Sequence, residues 1–120
     1  MKFCWTTLHV SDFEKSLGFY RDLIGLPVAS NSTHGGVSIA MLGPQDAPKI
    51  ELLHEDGISP EGSGAGISIG FEVEDLAVAT KKMADHGCAL KSGPISPNPH
   101  IRFSFFSDPD GYEVQLVENL

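Results

Sequence analysis

Apolar and polar positions along the chain follow a two-residue period and then a helical one, in an order that recurs. Thr6 to Val10 have strand character, and Ser11 with Glu14 three residues later makes a capping-box start for a helix. Phe13, Leu17, Tyr20 and Ile24 then recur at helical spacing, an apolar stripe that ends at Gly25, a residue suited to a left-handed stop. Short strands follow. "GGVSIAML" from Gly35 and "KIELLH" from Lys49 are β-branched and apolar, with "GPQDAP" from Gly43 supplying the turn between them. This order is β-α-β-β-β.

"EDGISPEGSGAG", Glu55 to Gly66, is rich in Gly, Ser and Pro and holds little that packs. "GSGAG" lacks the Gly-Lys-Ser/Thr ending of a phosphate loop, so it reads as linker. The pattern then restarts. "GISIGFEV" from Gly66 predicts a strand, and "EDLAVATKKMADHG" a helix with Leu76, Ala79 and Met83 on one face and Gly87 as its stop. "CALKS" from Cys88, "HIRFSFFS" from His100 and "YEVQLVE" from Tyr112 predict three more strands, with "DPDG" (Asp108 to Gly111) turning between the last two. Val10-Ser11-Asp12-Phe13 matches Val73-Glu74-Asp75-Leu76 where strand hands over to helix, and Gly25 matches Gly87. An internal repeat follows, with modules at 1–57 and 66–120 joined by a linker at 58–65.

A half of that size buries too little apolar surface to stand alone, so the two are expected to share sheet edges and helix packing. The expected fold class is α+β, with two tandem βαβββ modules forming curved, mostly antiparallel sheets around a cavity. Each helix would cover a convex face.

At 120 residues the chain has room for one domain or two half-domains. Eight basic against sixteen acidic residues give a formal charge of −8, which argues against nucleic acid and anionic membrane as partners. No apolar run reaches the roughly 20 residues of a membrane helix, and the N-terminus lacks a secretion-signal pattern, so a cytoplasmic location is expected. Cys4 and Cys88 lack metal-type spacing and read as reduced, small core residues.

The βαβββ order, with "DFEKSLGFYRDLIGL" and "DPDGYEVQLVE", resembles the vicinal-oxygen-chelate superfamily: glyoxalase I, extradiol dioxygenases, methylmalonyl-CoA epimerase, and bleomycin and fosfomycin resistance proteins. The resemblance spans essentially the whole chain and bears on architecture more than on chemistry. It implies a divalent metal held by four side chains, one each from the first and last strands of each module. The first ligand stands five residues before the corner valine, which here is Trp5, and its twin before Val73 is Ser68. The last-strand positions are Glu51, which matches, and Gln115, where glutamate is usual. His9 stands directly before Val10, where glyoxalase I carries an arginine that binds glutathione. An indole N–H cannot ligate a metal and a serine hydroxyl is a poor ligand for zinc or nickel, so no metal ligands and no cofactor are expected.

Alternation places Trp5, Thr7 and His9 on one face of the first strand and Cys4, Leu8 and Val10 on the other, the better core set. Trp5 either offers its ring to an apolar or cationic ligand or plugs the gap left by a lost metal. Glu51 in a closed cavity needs a partner, a proton or a ligand, and then suits a general base; on an open edge it is merely solvated. Gln115 either binds a ligand carbonyl or hydrogen-bonds Glu51 or Ser68. His100, stiffened by two preceding prolines, and Arg102 are further candidates at the cavity mouth, although surface histidines are commoner than working ones. His34, His54 and His86 show no spacing for joint ligation, and His86 suits a helix C-terminus.

The sequence thus points to a protein that binds a small organic molecule through Trp5, Thr7, His9, Ser68, Gln115, His100 and Arg102. The alternative is a lactoylglutathione-lyase-like lyase or isomerase with Glu51 as catalytic base, with or without a divalent metal. The resemblance also implies a homodimer, for which an isologous interface is the physical expectation.

Overall fold

The computed structural model describes residues 1–61 and 64–120; two linker residues, Gly62 and Ser63, lie outside that description. The chain forms two compact units, Met1–Glu61 and Gly62–Leu120. Each is α+β, a four-stranded mixed sheet with one helical segment.

In the first unit β1 (Trp5–His9) leads through Asp12 into α1 (Phe13–Gly18), followed by β2 (Val28–His34), β3 (Val37–Leu42) and β4 (Lys49–Glu55). The sheet order is β1-β4-β3-β2, with β1 parallel to β4 and the other ladders antiparallel. The helix is capped by Asp12 rather than by the expected Ser11: its carboxylate accepts from Lys15 N at 3.1 Å while its own backbone stays extended. After Gly18 the helix widens into a π-turn at Phe19–Leu23, closed by Ile24 N donating to Phe19 O at 2.9 Å. Phe19, Tyr20 and Leu23 are buried in this turn, whereas Ile24, expected on the apolar stripe, is half-buried. Gly25 then ends the helix at φ 91°. Leu8, Ala40, Leu42, Ile50 and Leu52 form the buried sheet face, with Phe13, Leu17 and Tyr20 completing the core.

The second unit repeats this plan. It consists of β5 (Ser68–Glu72), α2 (Leu76–Asp85), β6 (Ser92–Asn98), β7 (Ile101–Ser107) and β8 (Glu113–Asn119), in sheet order β5-β8-β7-β6. Asp75 caps α2 by accepting from Val78 N at 3.0 Å, and Gly87 stops it at φ 80°. Leu76 and Met83 are buried under the helix; Ala79 is half-buried. The strand expected at "CALKS" begins only at Ser92 and runs through Pro94 and Pro97. Those prolines are tolerated because β6 is an edge strand whose pairing with β7 is interrupted by two register shifts. At the "DPDG" turn the Asp108 carboxylate accepts from Asp110 N and Tyr112 N, both at 2.9 Å, and Gly111 takes φ 89°.

The two units share one register. Trp5 pairs with Lys49 and Thr7 with Glu51; correspondingly Ser68 pairs with Glu113 and Gly70 with Gln115. The corner valines agree as well, Val10 N donating to Leu53 O and Val73 N to Val117 O, at 2.9 and 2.8 Å. Both halves therefore set their first and last strands side by side with the same offset.

Candidate functional site

Burial of Leu8, Ile50 and Leu52 leaves the intervening residues to the helix-free face of the first sheet. Trp5, Thr7 and His9 lie there along β1, and Lys49, Glu51 and Leu53 beside them on β4. Trp5 is 53% exposed. The Thr7 hydroxyl donates to Glu51 Oε1 at 2.6 Å, a short charge-assisted bond that fixes one carboxylate oxygen. Lys49 shares this face but turns back into the β3–β4 turn. Its ammonium donates to the carbonyls of Pro44, of Gln45 (3.2 Å) and of Ala47 (2.5 Å).

In the second sheet Ser68, Gly70, Glu113, Gln115 and Val117 share the corresponding face, with Phe103 and Phe105 beside them on β7. The two rings meet edge to face, centroids 5.6 Å apart at 82°. Gln115 Oε1 stands 3.5 Å from where a Cβ on Gly70 would lie, an ordinary van der Waals distance, so the amide packs over the glycine. The hydrogen bond from Lys91, 2.8 Å long, holds the Glu113 carboxyl below its ordinary range; desolvation opposes this, and a hydrogen bond from Ser68 adds to it.

Arg102 lies on the opposite, helix-covered face. Its register partner is Glu118, which is 9% exposed, and the guanidinium donates to both carboxylate oxygens at 3.2 Å. Glu118 Oε2 also accepts from Leu76 N at 2.7 Å, so it satisfies an orphan amide at the start of α2. That bond first, and Arg102 second, lower the Glu118 pKa. Arg102 borders a cavity of about 320 Å³ with Leu76, Thr80, Leu90 and Pro94. His100 is exposed in the β6–β7 turn, its backbone N–H donating to Asn98 Oδ1 at 2.8 Å. The candidates therefore separate: Trp5, Thr7, His9 and Glu51 share one face, Ser68 and Gln115 share another, and Arg102 and His100 lie off both.

Other polar groups are structural. His54 Nδ1 lies 2.9 Å from Val10 O and His86 Nδ1 2.8 Å from Lys82 O. Both cysteines are free thiols; Cys4 is exposed rather than in the core, and Cys88 is half-buried, with burial pushing its thiol pKa up. The Phe103–Phe105 pair was open to discovery from the sequence, since alternation along "RFSFF" runs in phase with Gln115. No sequence signal foretold the retreat of Lys49, which depends on three turn carbonyls converging.

Trp5, Glu51, Ser68 and Gln115 do not suit a zinc or nickel ion. The indole nitrogen has no free lone pair, a neutral serine hydroxyl is a poor ligand for either ion, and Glu51 is the one anion of the four, with an oxygen already bonded. Among the described residues no cluster of three or more His, Cys, Asp or Glu side chains is placed to hold a metal. Nor is any described helix long and apolar enough to cross a membrane.

Comparison with known proteins gives a consistent picture. The model of the Glyoxalase/Bleomycin resistance protein/Dioxygenase superfamily matches residues 2–116. A probable lactoylglutathione lyase from Synechocystis is 30% identical, covering 94% of this chain and 92% of that protein. Glyoxalase I from Leishmania major superposes with a TM-score of 0.84 at 23% identity, over 98% of this chain and 86% of its own. An antibiotic binding protein from Streptomyces superposes at 0.74 with 22% identity, over 100% and 97%.

Proposed function

The chain belongs to the Glyoxalase/Bleomycin resistance protein/Dioxygenase superfamily, and on that premise we propose that it binds a small organic molecule on the helix-free face of its first sheet, without the superfamily's metal. The observation that carries this reading is Trp5. Where the resemblance implies a metal ligand, the chain presents an indole, half open to solvent, beside a carboxylate steadied by Thr7. Such an arrangement offers an apolar surface with a few polar fixtures, the usual composition of a small-molecule site. Within the second unit, Ser68 and Gln115 are the corresponding polar contacts of its own helix-free face. The protein acts in the cytoplasm as a homodimer with an isologous interface.

The test is metal analysis of protein purified without chelator, followed by an assay on the methylglyoxal–glutathione hemithioacetal. The expected result is substoichiometric metal and no turnover, with ligand binding that survives EDTA. Stoichiometric nickel or zinc, with turnover abolished by Glu51→Gln, overturns the reading.

A second reading is favoured by the 30% identity to a probable lactoylglutathione lyase. In it Glu51 is a general base that removes a proton next to a carbonyl, with Oε1 held by Thr7 and Oε2 left to take the proton. Charge developing on the substrate oxygen would then fall to a histidine, for which His9 on the same face is the candidate. It ranks second because the Lewis-acid contribution a metal makes, worth several kcal/mol, has no replacement in kind.

A further inference from the structure

We propose that the ligand of the Trp5–Glu51 face is an organic cation, an ammonium or amidinium group carried on an apolar body. This rests on the reading that the face binds a small molecule, and it specifies that molecule's chemistry. The inference starts from an uncompensated charge. Glu51 Oε1 accepts from Thr7 at 2.6 Å, and among the described residues Oε2 has no donor and the carboxylate enters no ion pair. The residue is half-buried, flanked on its strand by Ile50 at 7% exposure and Leu52 at 0%. A carboxylate so placed gains most from a partner that brings positive charge and N–H donors together.

The natural internal partner is withheld. Lys49 lies on the same face, two residues before Glu51, yet its ammonium is held by the turn carbonyls of Pro44, Gln45 and Ala47. The position a cation would fill therefore stays open to a ligand. Trp5 is the register partner of Lys49, roughly 7 Å along β1 from Thr7, within reach of the same small molecule. Its exposed ring offers the negative π-face that attracts cations and packs against their apolar parts. Met41, the register partner of Glu51 on β3, and Ile39 next to it on that face are half-buried and provide an apolar floor. The chain's formal charge of −8 draws cations toward it at long range. Anionic ligands meet the opposite of all these features.

Trp5 is the single tryptophan of the chain, so its fluorescence reports this face directly. The probes are 2-phenylethylammonium and 2-phenylethanol, which share a shape and differ in charge. Titration is run at about pH 8, where the amine probe is protonated. The expected result is that both probes quench Trp5, the ammonium binding about tenfold more tightly than the alcohol. That preference shrinks as salt is raised. In Glu51→Gln, an isosteric change checked for unaltered circular dichroism, the ratio falls to about one. Equal affinity for the two probes in the unaltered protein overturns the cation assignment and leaves the binding face standing. Absence of quenching by either probe overturns the binding face and the cation assignment together.

Discussion

The Thr7 hydroxyl and the Glu51 carboxylate meet at 2.6 Å because β1 and β4 run parallel with these two residues as register partners. In the second unit the equivalent pair is Gly70 and Gln115, a residue without a side chain beside a neutral amide. The carboxylate and its hydroxyl donor thus belong to one half of the repeat. Thr7→Val keeps the β-branched shape and removes the donor. It is expected to lower stability by about 1 kcal/mol, less than the roughly 1.5–3 kcal/mol of a bond to a charged group, because Glu51 is not fully buried. Thr7→Ser is expected to retain most of that. Urea denaturation of the two variants measures the difference, and equal losses for both would trace the effect to packing.

Trp5 separates stability from binding. At 53% exposure it contributes little to the core, so Trp5→Ala should change unfolding free energy by less than about 0.5 kcal/mol. Retention of a bound small molecule should drop sharply in the same variant. Calorimetric titration with 2-phenylethylammonium reads this without the lost fluorophore. A variant that unfolds readily would instead mark Trp5 as a structural plug.

Much of the fold was legible because two signals agreed at each element: an apolar period, and a stop residue such as Gly25 or Gly87. What misled was chemistry one residue away from the pattern. Ser11 and Glu14 match a capping box, but the cap is Asp12, whose carboxylate reaches the Lys15 amide. "CALKS" looks more strand-like than "SGPISPN", yet the latter is the strand, because an edge position tolerates missing amide donors. The shared face of Trp5, Thr7, His9 and Glu51 could be read from alternation alone. Arg102 is expected at the cavity mouth beside His100. Parity along β7 sends it instead to the face of Glu118 and Ser104.

The two aspartate caps invite a matched pair of substitutions. Asp12 and Asp75 occupy equivalent corners and each accepts from the amide three residues on, at 3.1 and 3.0 Å. Asp12→Ala and Asp75→Ala should each destabilise by about 1 kcal/mol, and Asn at either site by less. With the caps in separate units, their effects should add in the double variant to within about 0.5 kcal/mol. Thermal unfolding followed by circular dichroism is the check, and a large departure from additivity would mean the corners are coupled.

Glu118 predicts a pH dependence whose sign is fixed by its partners. Leu76 N–H and then Arg102 favour the ionised carboxylate and hold its folded pKa below the ordinary value of 4.5. A group depressed on folding adds stability that is present above its unfolded pKa and is lost as pH falls through the folded pKa. The unaltered protein should therefore lose stability as it is acidified from about pH 5 downward, in part through this residue. Glu118→Gln keeps the shape and accepts from the Leu76 amide, but it carries no charge to titrate. That variant should be less stable at neutral pH, and its stability should fall less steeply on acidification. Urea midpoints measured across the acid range for both proteins give the comparison. Parallel curves would show that the Arg102–Glu118–Leu76 contact contributes nothing to the acid limb, leaving other carboxylates such as Glu113, lowered by Lys91, to account for it.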